Sequence, residues 1–422
     1  MLSTLERTIL DYASKVRMFT PNARLYLMNV IISGVAMGVF RLLFNFYALS
    51  LGFDEALLGR LITISSLTSL LVALPMGYLA DILGRKNSLV LSGLLVSSSI
   101  IGMVFVPTQA AFYTLQIVLG IAQSLAAITM APFLMENSGE GERTYLFSFG
   151  QGLQMLSAFV GNWLGGYLPT WIALRQGFTP TNSPAYAGSL LIVAGMYLLG
   201  LVPLMFLRRN RMVGEARSVF APIRYAKENP KLLGKLVIPM LITSIGAGLI
   251  MPFMNVFFRT VHQQPDPAIG TMFAWGSLAM GVGLLIAPPL AERFGKIQVV
   301  VVTQALSVPF LILLGFSPWF WLSALSYYIR LALMNMSNPV YQTFVMESVD
   351  QDARATVASL TSMAWNFGWV FSPMISGFLQ VNYGFGLAFL GTILTYILAI
   401  IMYWAFFWRG QPKENSEITI QI

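Results

Sequence analysis

No cysteine and a single histidine, His262, leave this chain little of the usual chemistry. Disulfides, thiolate metal sites, Fe–S clusters and a cysteine nucleophile are excluded, and a multi-histidine metal site cannot be built. Gly295-Lys296 is followed by Ile297, so the G-x-x-x-x-G-K-[ST] phosphate loop is missing. Neither an H-E-x-x-H motif nor a nucleophile elbow is present. No enzymatic activity, cofactor or metal is expected. What remains is ion pairing and hydrogen bonding by a few polar side chains set in apolar sequence. Arg41 has Met37 and Asn45 one turn either side, and Arg330 shares a helical face with Ser326, Met334 and Asn338. Gln116 and Gln123 stand seven apart, on one face, and Asn255 lies alone. A charge at mid-membrane costs about 2.5–3.5 kcal/mol, so such residues face a cavity or a partner. All 17 acidic residues fall in loops or at the ends of apolar runs, with His262 and Asp266 placed in an outer loop. Proton coupling usually needs a buried carboxylate or histidine, and none is evident. Two buried arginines without a buried acid point to an anionic solute, since a carboxylate or phosphate pairs well with a guanidinium. The alternative is that Arg41 snorkels outward or bonds carbonyls, and that Arg330 is structural.

The elements that must position these residues are membrane spans. The chain is 56% hydrophobic and 10% charged, with mean hydropathy +0.71. A soluble protein carries about a quarter charged residues. Apolar runs predict twelve spans, at 25–50, 56–80, 87–107, 109–135, 144–170, 186–207, 235–258, 268–291, 297–316, 318–346, 355–380 and 384–408. Five units follow: a polar lead-in over 1–24, a bundle over 25–207, a basic linker over 208–234, a second bundle over 235–408 and a tail over 409–422. Glu6 and Asp11 interrupt the lead-in, which does not read as a secretory signal.

Charge placement predicts orientation. Of 25 Lys and Arg, 20 fall in the termini and the even-numbered connections, three (Arg60, Arg175, Arg259) in the odd ones, and Arg41 and Arg330 within spans. The positive-inside rule puts both termini in the cytoplasm. The net charge of +8 is thus a topology signal, and no nucleic-acid partner is expected. The linker's basic residues, Arg208 to Lys235, suit anionic headgroups or a plain solvated loop.

The connections carry paired motifs. Gly77, Asp81, Gly84, Arg85 and Lys86 form a short turn between spans 2 and 3. Glu136 and Arg143 flank the turn of spans 4–5, and Glu347 and Arg354 that of spans 10–11. A shift of 211 places Glu136 on Glu347, Arg143 on Arg354, Gly166 on Gly377, and Asp81-x-x-Gly84-Arg85 on Glu292-x-x-Gly295-Lys296. Two six-helix halves of common origin follow. With an even span count each, they lie parallel about an axis along the membrane normal. Gly161, Gly165 and Gly166 in span 5, and Pro373 and Gly377 in span 11, allow close helix packing.

The pattern at Gly77, Asp81, Gly84, Arg85 and Lys86 resembles the signature loop of the major facilitator superfamily, with Ile82 where that family often has a basic residue. The resemblance covers about 25–408. It implies an all-α integral membrane fold of twelve helices in two pseudo-symmetric six-helix bundles, working by alternating access. It implies that spans 1, 4, 7 and 10 line a central cavity, with Arg41, Asn45, Met37, Gln116, Gln123, Asn255, Arg330 and Asn338 as candidates. It implies a cytoplasmic gate of Gly77, Asp81, Gly84, Arg85, Lys86, Glu136, Arg143, Glu292, Glu347 and Arg354, in which Asp81 faces the start of span 11. Gly161-Asn162-x-x-Gly165-Gly166 resembles the G-P-x-x-G-G element of drug–proton antiporters, with Asn162 in place of Pro. Gln116 stands where many antiporters carry Arg. Three functions follow: a secondary transporter of a small organic solute, anionic or amphipathic; a drug–proton antiporter; and a non-transporting receptor or scaffold. The expected partners are a small-molecule substrate and the bilayer, for a monomer in the plasma membrane.

Overall fold

The computed structural model describes residues 18–139, 142–177, 179–208, 229–349 and 354–409. In lipid every backbone N–H and C=O must be satisfied within its own segment, so apolar spans of this length become helices. Twelve helical rods form among the described residues: α1 (Pro21–Ser50), α2a (Glu55–Leu71) with α2b (Ala73–Leu83), α3 (Arg85–Phe105), α4 (Gln109–Glu136), α5 (Arg143–Gln176), α6 (Ser183–Met205), α7 (Pro230–Thr260), α8 (Asp266–Phe294), α9 (Lys296–Phe316), α10 (Phe320–Glu347), α11 (Arg354–Tyr383) and α12 (Phe385–Trp408). Local sequence sets their starts. Thr20 accepts from the Ala23 N–H ahead of Pro21, and Asp54 caps α2a through the Leu57 N–H at 2.7 Å.

Eight of these helices are long and apolar enough to cross a membrane on their own, and α2a with α2b makes a ninth, bent by 59°. The less apolar rods are α5, α10 and α11. The first and last carry the seams between the halves, and α10 carries Arg330. The turn expected at 77–86 is shorter than its pattern implied. Helix α2b runs on to Leu83, so Asp81 lies on a helix and Gly84 alone joins α2b to α3. Its φ of 79°, like the 90° of Gly295 between α8 and α9, belongs to glycine. Helix α7 is interrupted by a 3₁₀ turn over Met251–Phe253, where Pro252 supplies no N–H to the ladder.

Each half packs in the same way. In the first, α1 lies against α5 and α6, and α4 against α2a and α3. In the second, α7 lies against α11 and α12, and α10 against α8 and α9. The halves meet along two seams, α2a on α11 and α5 on α8. Both seams are built of glycine and obey the 211-residue shift. A Cβ on Gly59 would lie 2.3 Å from the Pro373 carbonyl oxygen, and one on Gly270 would lie 2.6 Å from that of Asn162. A Cβ on Gly377 would meet Ala56, and one on Gly166 would meet Pro267. Adding 211 to 59, 162, 56 and 166 gives 270, 373, 267 and 377.

The core shows which end is shut. One buried cluster crosses between halves, joining Phe44, Phe46 and Phe112 to Phe253, Phe257 and Phe258. It lies at the end away from the chain termini. Toward the terminal end the buried clusters belong to single halves, around Tyr26 and Phe133 in one and Tyr341 and Tyr403 in the other. Among the described residues, the buried clusters join the halves at the far end and stay within single halves at the terminal end. The basic linker, 209–228, lies outside the described residues, as do most of the lead-in and tail.

Candidate functional site

Helix α1 presents Met37, Arg41 and Asn45 along one face at i, i+4 spacing. Asn45 marks where the space between the halves ends. Its amide donates to the Pro252 carbonyl at 2.7 Å and to Asn255 Oδ1 at 2.9 Å, and Asn255 donates back to the Leu42 carbonyl at 2.8 Å. Pro252 sits in the broken turn of α7, so a kink in one half supplies an acceptor to the other. Asn45 and Asn255 are therefore paired in the far-end seal rather than lining open space. One turn toward the termini, Arg41 is exposed, and no acid lies within ion-pairing distance among the described residues. It reaches the electrostatic neighbourhood of Tyr197 on α6. Met37 is half-buried.

Helix α4 aims Phe112 at Phe44 of α1 and Phe53. Gln116, one turn on, is buried at 3% exposure, and Gln123 is half-buried on the same side.

Arg330 departs from the open-cavity expectation. It is 2% exposed, enclosed by α10, α7 and α12. Its guanidinium donates to the Tyr396 hydroxyl at 2.9 Å and reaches Met251 Sδ at 3.6 Å, while Nε has no partner. Ser326 Oγ, one turn away, is likewise buried and unpartnered. No carboxylate faces this charge among the described residues.

Asn338 lines a small cavity of ≈ 30 Å³ within the second half, with Thr243, Gln304, Tyr341, Trp365 and Tyr403 among its walls. It is large enough for about two waters. Gln304 extends from α9 and donates to Ser337 Oγ at 3.1 Å. Every lining group is uncharged. Nothing in the one-dimensional pattern singled out Gln304, because its partner is on another helix.

The terminal-end charges pair within halves. Arg85 bonds Asp81 and Glu136, each at 3.0 Å, and Lys296 pairs with Glu347. Adding 211 to 85 and 136 gives 296 and 347, so the repeat holds at the level of ion pairs. Asp81 does not meet α11 here, because this end is parted. Lys86 donates to the Met205 and Leu207 carbonyls at the C-terminus of α6, a favoured place for a cation. Arg143 bonds the Ser138 carbonyl at 3.4 Å rather than Glu136, and Arg354 bonds that of Met346 at 3.0 Å. Glu292 is exposed, and Gly77 makes only a loose approach to Ile128. A cleft of ≈ 190 Å³ lies beside Asp81, Arg85, Lys86, Glu136 and Arg208.

The span 5 glycines divide by role. Gly161 and Gly165 hold α5 against α1 within one half, and Gly166 holds it against α8 of the other. Pro373 and Gly377 do the seam work on α11.

At the far end is a cluster that the sequence pattern missed. Arg259 at the end of α7 pairs with Asp266 at the start of α8. The Tyr186 hydroxyl on α6 donates to Asp266 Oδ2 at 2.6 Å, and the guanidinium lies 3.6 Å from the Phe46 ring centroid on α1. Asp266 is 5% exposed, so it is a buried acid after all. The neighbouring His262 stacks on Phe258, and burial lowers its pKa.

The Major Facilitator Superfamily family model matches residues 26–265 and 236–420. The chain belongs to the major facilitator superfamily. It is a multi-pass integral membrane protein and a secondary transporter, not an enzyme. Among curated relatives it is 26% identical to the multidrug resistance protein MdtG of Serratia proteamaculans (strain 568) over 376 residues, 86% of each chain. It is 24% identical to MdtG of Dickeya zeae (strain Ech586), over 85% of this chain and 86% of that one. Among solved structures it resembles the nucleoside transporter NupG (TM-score 0.73, 15% identity, 93% of this chain and 100% of that one). It also resembles a bacterial homolog of the human lysosomal transporter Spinster in an inward-facing, occupied conformation (TM-score 0.72, 14% identity, 93% and 96%). Both likenesses concern the fold.

Proposed function

We propose that this superfamily member carries a small amphipathic organic solute with an anionic group, which Arg41 receives in the space between the halves. The observation that carries this reading is the exposed, acid-free guanidinium of Arg41 one turn from the Asn45–Asn255 seal. A charge held in an apolar span without a counter-ion fits a substrate that supplies one. Arg330, buried in the second half, serves that half's packing through Tyr396 and the broken turn of α7.

The distribution of Lys and Arg supports a cytoplasmic terminal end. The state described above is then inward-open, in a monomer of the plasma membrane with no nucleic-acid partner. The five units read from the sequence serve as the working division into two bundles, lead-in, linker and tail.

A thermal-shift screen of purified protein against carboxylates, phosphates and cationic drugs identifies the class. Loss of one charge-assisted hydrogen bond costs about 1.5–3 kcal/mol, roughly 10- to 150-fold in affinity. Arg41→Ala is expected to lose anion uptake into vesicles by that order, and Arg41→Lys to keep part of it. Equal uptake by Arg41→Ala rejects the role. The second reading, multidrug efflux, rests on the likeness to MdtG. It is favoured if cationic drugs stabilise the protein and anions do not.

A further inference from the structure

We propose that the second half binds a small inorganic anion of the chloride type at Arg330, held by donors that the protein leaves without acceptors. Arg330 is 2% exposed and Ser326 is 1% exposed. Of the three guanidinium nitrogens, Nη2 donates to the Tyr396 hydroxyl at 2.9 Å, Nη1 reaches only the Met251 sulfur at 3.6 Å, and Nε has no partner. A thioether sulfur is a weak acceptor. Ser326 Oγ is buried and unpartnered as well. The Tyr396 hydroxyl accepts from the guanidinium, and its own proton has no acceptor among the described residues.

These donors converge. On a helix the Cα–Cβ bond tilts toward the N-terminus, so a long side chain lies over the turn that precedes it. Arg330 therefore extends back along α10 over Ser326. Tyr396 arrives from α12 and Met251 from the broken turn of α7, and both meet the same guanidinium. The charge is surrounded by donors, and a phenolic oxygen is its one oxygen acceptor among the described residues. Glu347, the one acid on α10, ends that helix about 25 Å further along the axis. A buried guanidinium without a counter-charge is strongly unfavourable. A buried anion repays its own desolvation only where several donors complete its shell. Nε–H, Ser326 O–H and Tyr396 O–H supply that shell.

The fold itself does not call for these groups. Helices α4 and α10 are copies at the 211-residue shift, over Gln109–Glu136 and Phe320–Glu347. Subtracting 211 from 326 and 330 gives 115 and 119, and both positions are leucine. Leu119 is buried at 3% exposure. Where the first half packs two leucines, the second has a hydroxyl and a charge. Enclosure sets the size of the ligand: it excludes an organic solute and leaves a monatomic halide. The site is thus distinct from Arg41, which is exposed. The anion stays with the second half and neutralises its buried charge.

The test is the thermal midpoint of the full-length protein in detergent, in sodium chloride against sodium gluconate at equal ionic strength. Chloride is expected to raise the midpoint of the parent protein, increasingly with concentration, because it binds the folded state alone. Bromide should act in its place. Arg330→Met should show one midpoint in both salts, and Arg41→Ala should keep the chloride effect. Ser326→Ala spares the Arg330–Tyr396 bond, and should need about tenfold more chloride for the same rise, as expected for loss of one hydrogen bond to an ion. If Arg330→Met does not fold, Ser326→Ala carries the test. Equal midpoints of the parent protein in the two salts overturn the proposal. So does a chloride effect that survives in Arg330→Met, one abolished by Arg41→Ala, or an unchanged chloride requirement in Ser326→Ala.

Discussion

At the residue scale, the polar groups within the membrane have separate duties. Arg41 is exposed, Asn45 and Asn255 pair across the halves, and Arg330 is buried in one half. A buried ion without a carboxylate partner is costly, and replacing such charges by apolar side chains is often neutral or stabilising. Arg330→Met is therefore expected to hold or raise the thermal midpoint in detergent. Tyr396→Phe leaves the guanidinium without its oxygen acceptor and should lower stability by about 1–3 kcal/mol. Unfolding of Arg330→Met at ordinary temperature would show instead that Arg330 belongs to a structural network. Arg41 and Arg330 were legible as isolated charges in apolar runs. Their difference in exposure was not, because it depends on which neighbours the α7 break brings near. Asp266 read as a loop acid, since its burial comes from Tyr186, 80 residues earlier in the chain.

At the element scale, the seams set what can move. Gly377 and Gly270 allow α11 and α8 to touch the other half, whereas Gly161 holds α5 on α1 within one half. Gly377→Val places its Cβ against the Glu55 carbonyl oxygen, at 2.2 Å, and should prop the far end open. Its effect is expected as faster reaction of a water-soluble maleimide with a single thiol placed opposite Gly377 by Ala56→Cys, with little loss of stability, because each half keeps its own core. Gly161→Val places its Cβ against the Val35 carbonyl oxygen, at 2.3 Å, within one half, and should lower the thermal midpoint instead. Equal behaviour of the two variants would contradict this division between seam and bundle. The 211-residue repeat, read from loop charges, extends to these contacts and to the Arg85–Glu136 and Lys296–Glu347 pairs. Helix boundaries were readable to a few residues. The 59° bend after Leu71 and the 3₁₀ turn at Met251–Phe253 were not, because proline permits a break without fixing its angle.

At the scale of the whole molecule, two bundles meet at one end and part at the other. Among the described residues, the hydrogen bonds that cross between halves run from the far end only as far as Asn162–Ser277, at 3.4 Å. Beyond that level each half keeps its own ion pairs. Asp81 stays with Arg85 instead of reaching α11. In the opposite state the far-end contacts must release, and the terminal ends must meet. A link across the seam at mid-depth tests this most directly. Asn162→Cys with Ser277→Cys can be closed by an oxidant or a short bifunctional thiol reagent in a chain with no other cysteine. Flux of the solute that gives the largest thermal shift is then measured in reconstituted vesicles. Closing the link should abolish flux, and a reductant or cleavable linker should restore it. Linked carriers that move solute as fast as unlinked ones would contradict transport by alternate opening of the two ends.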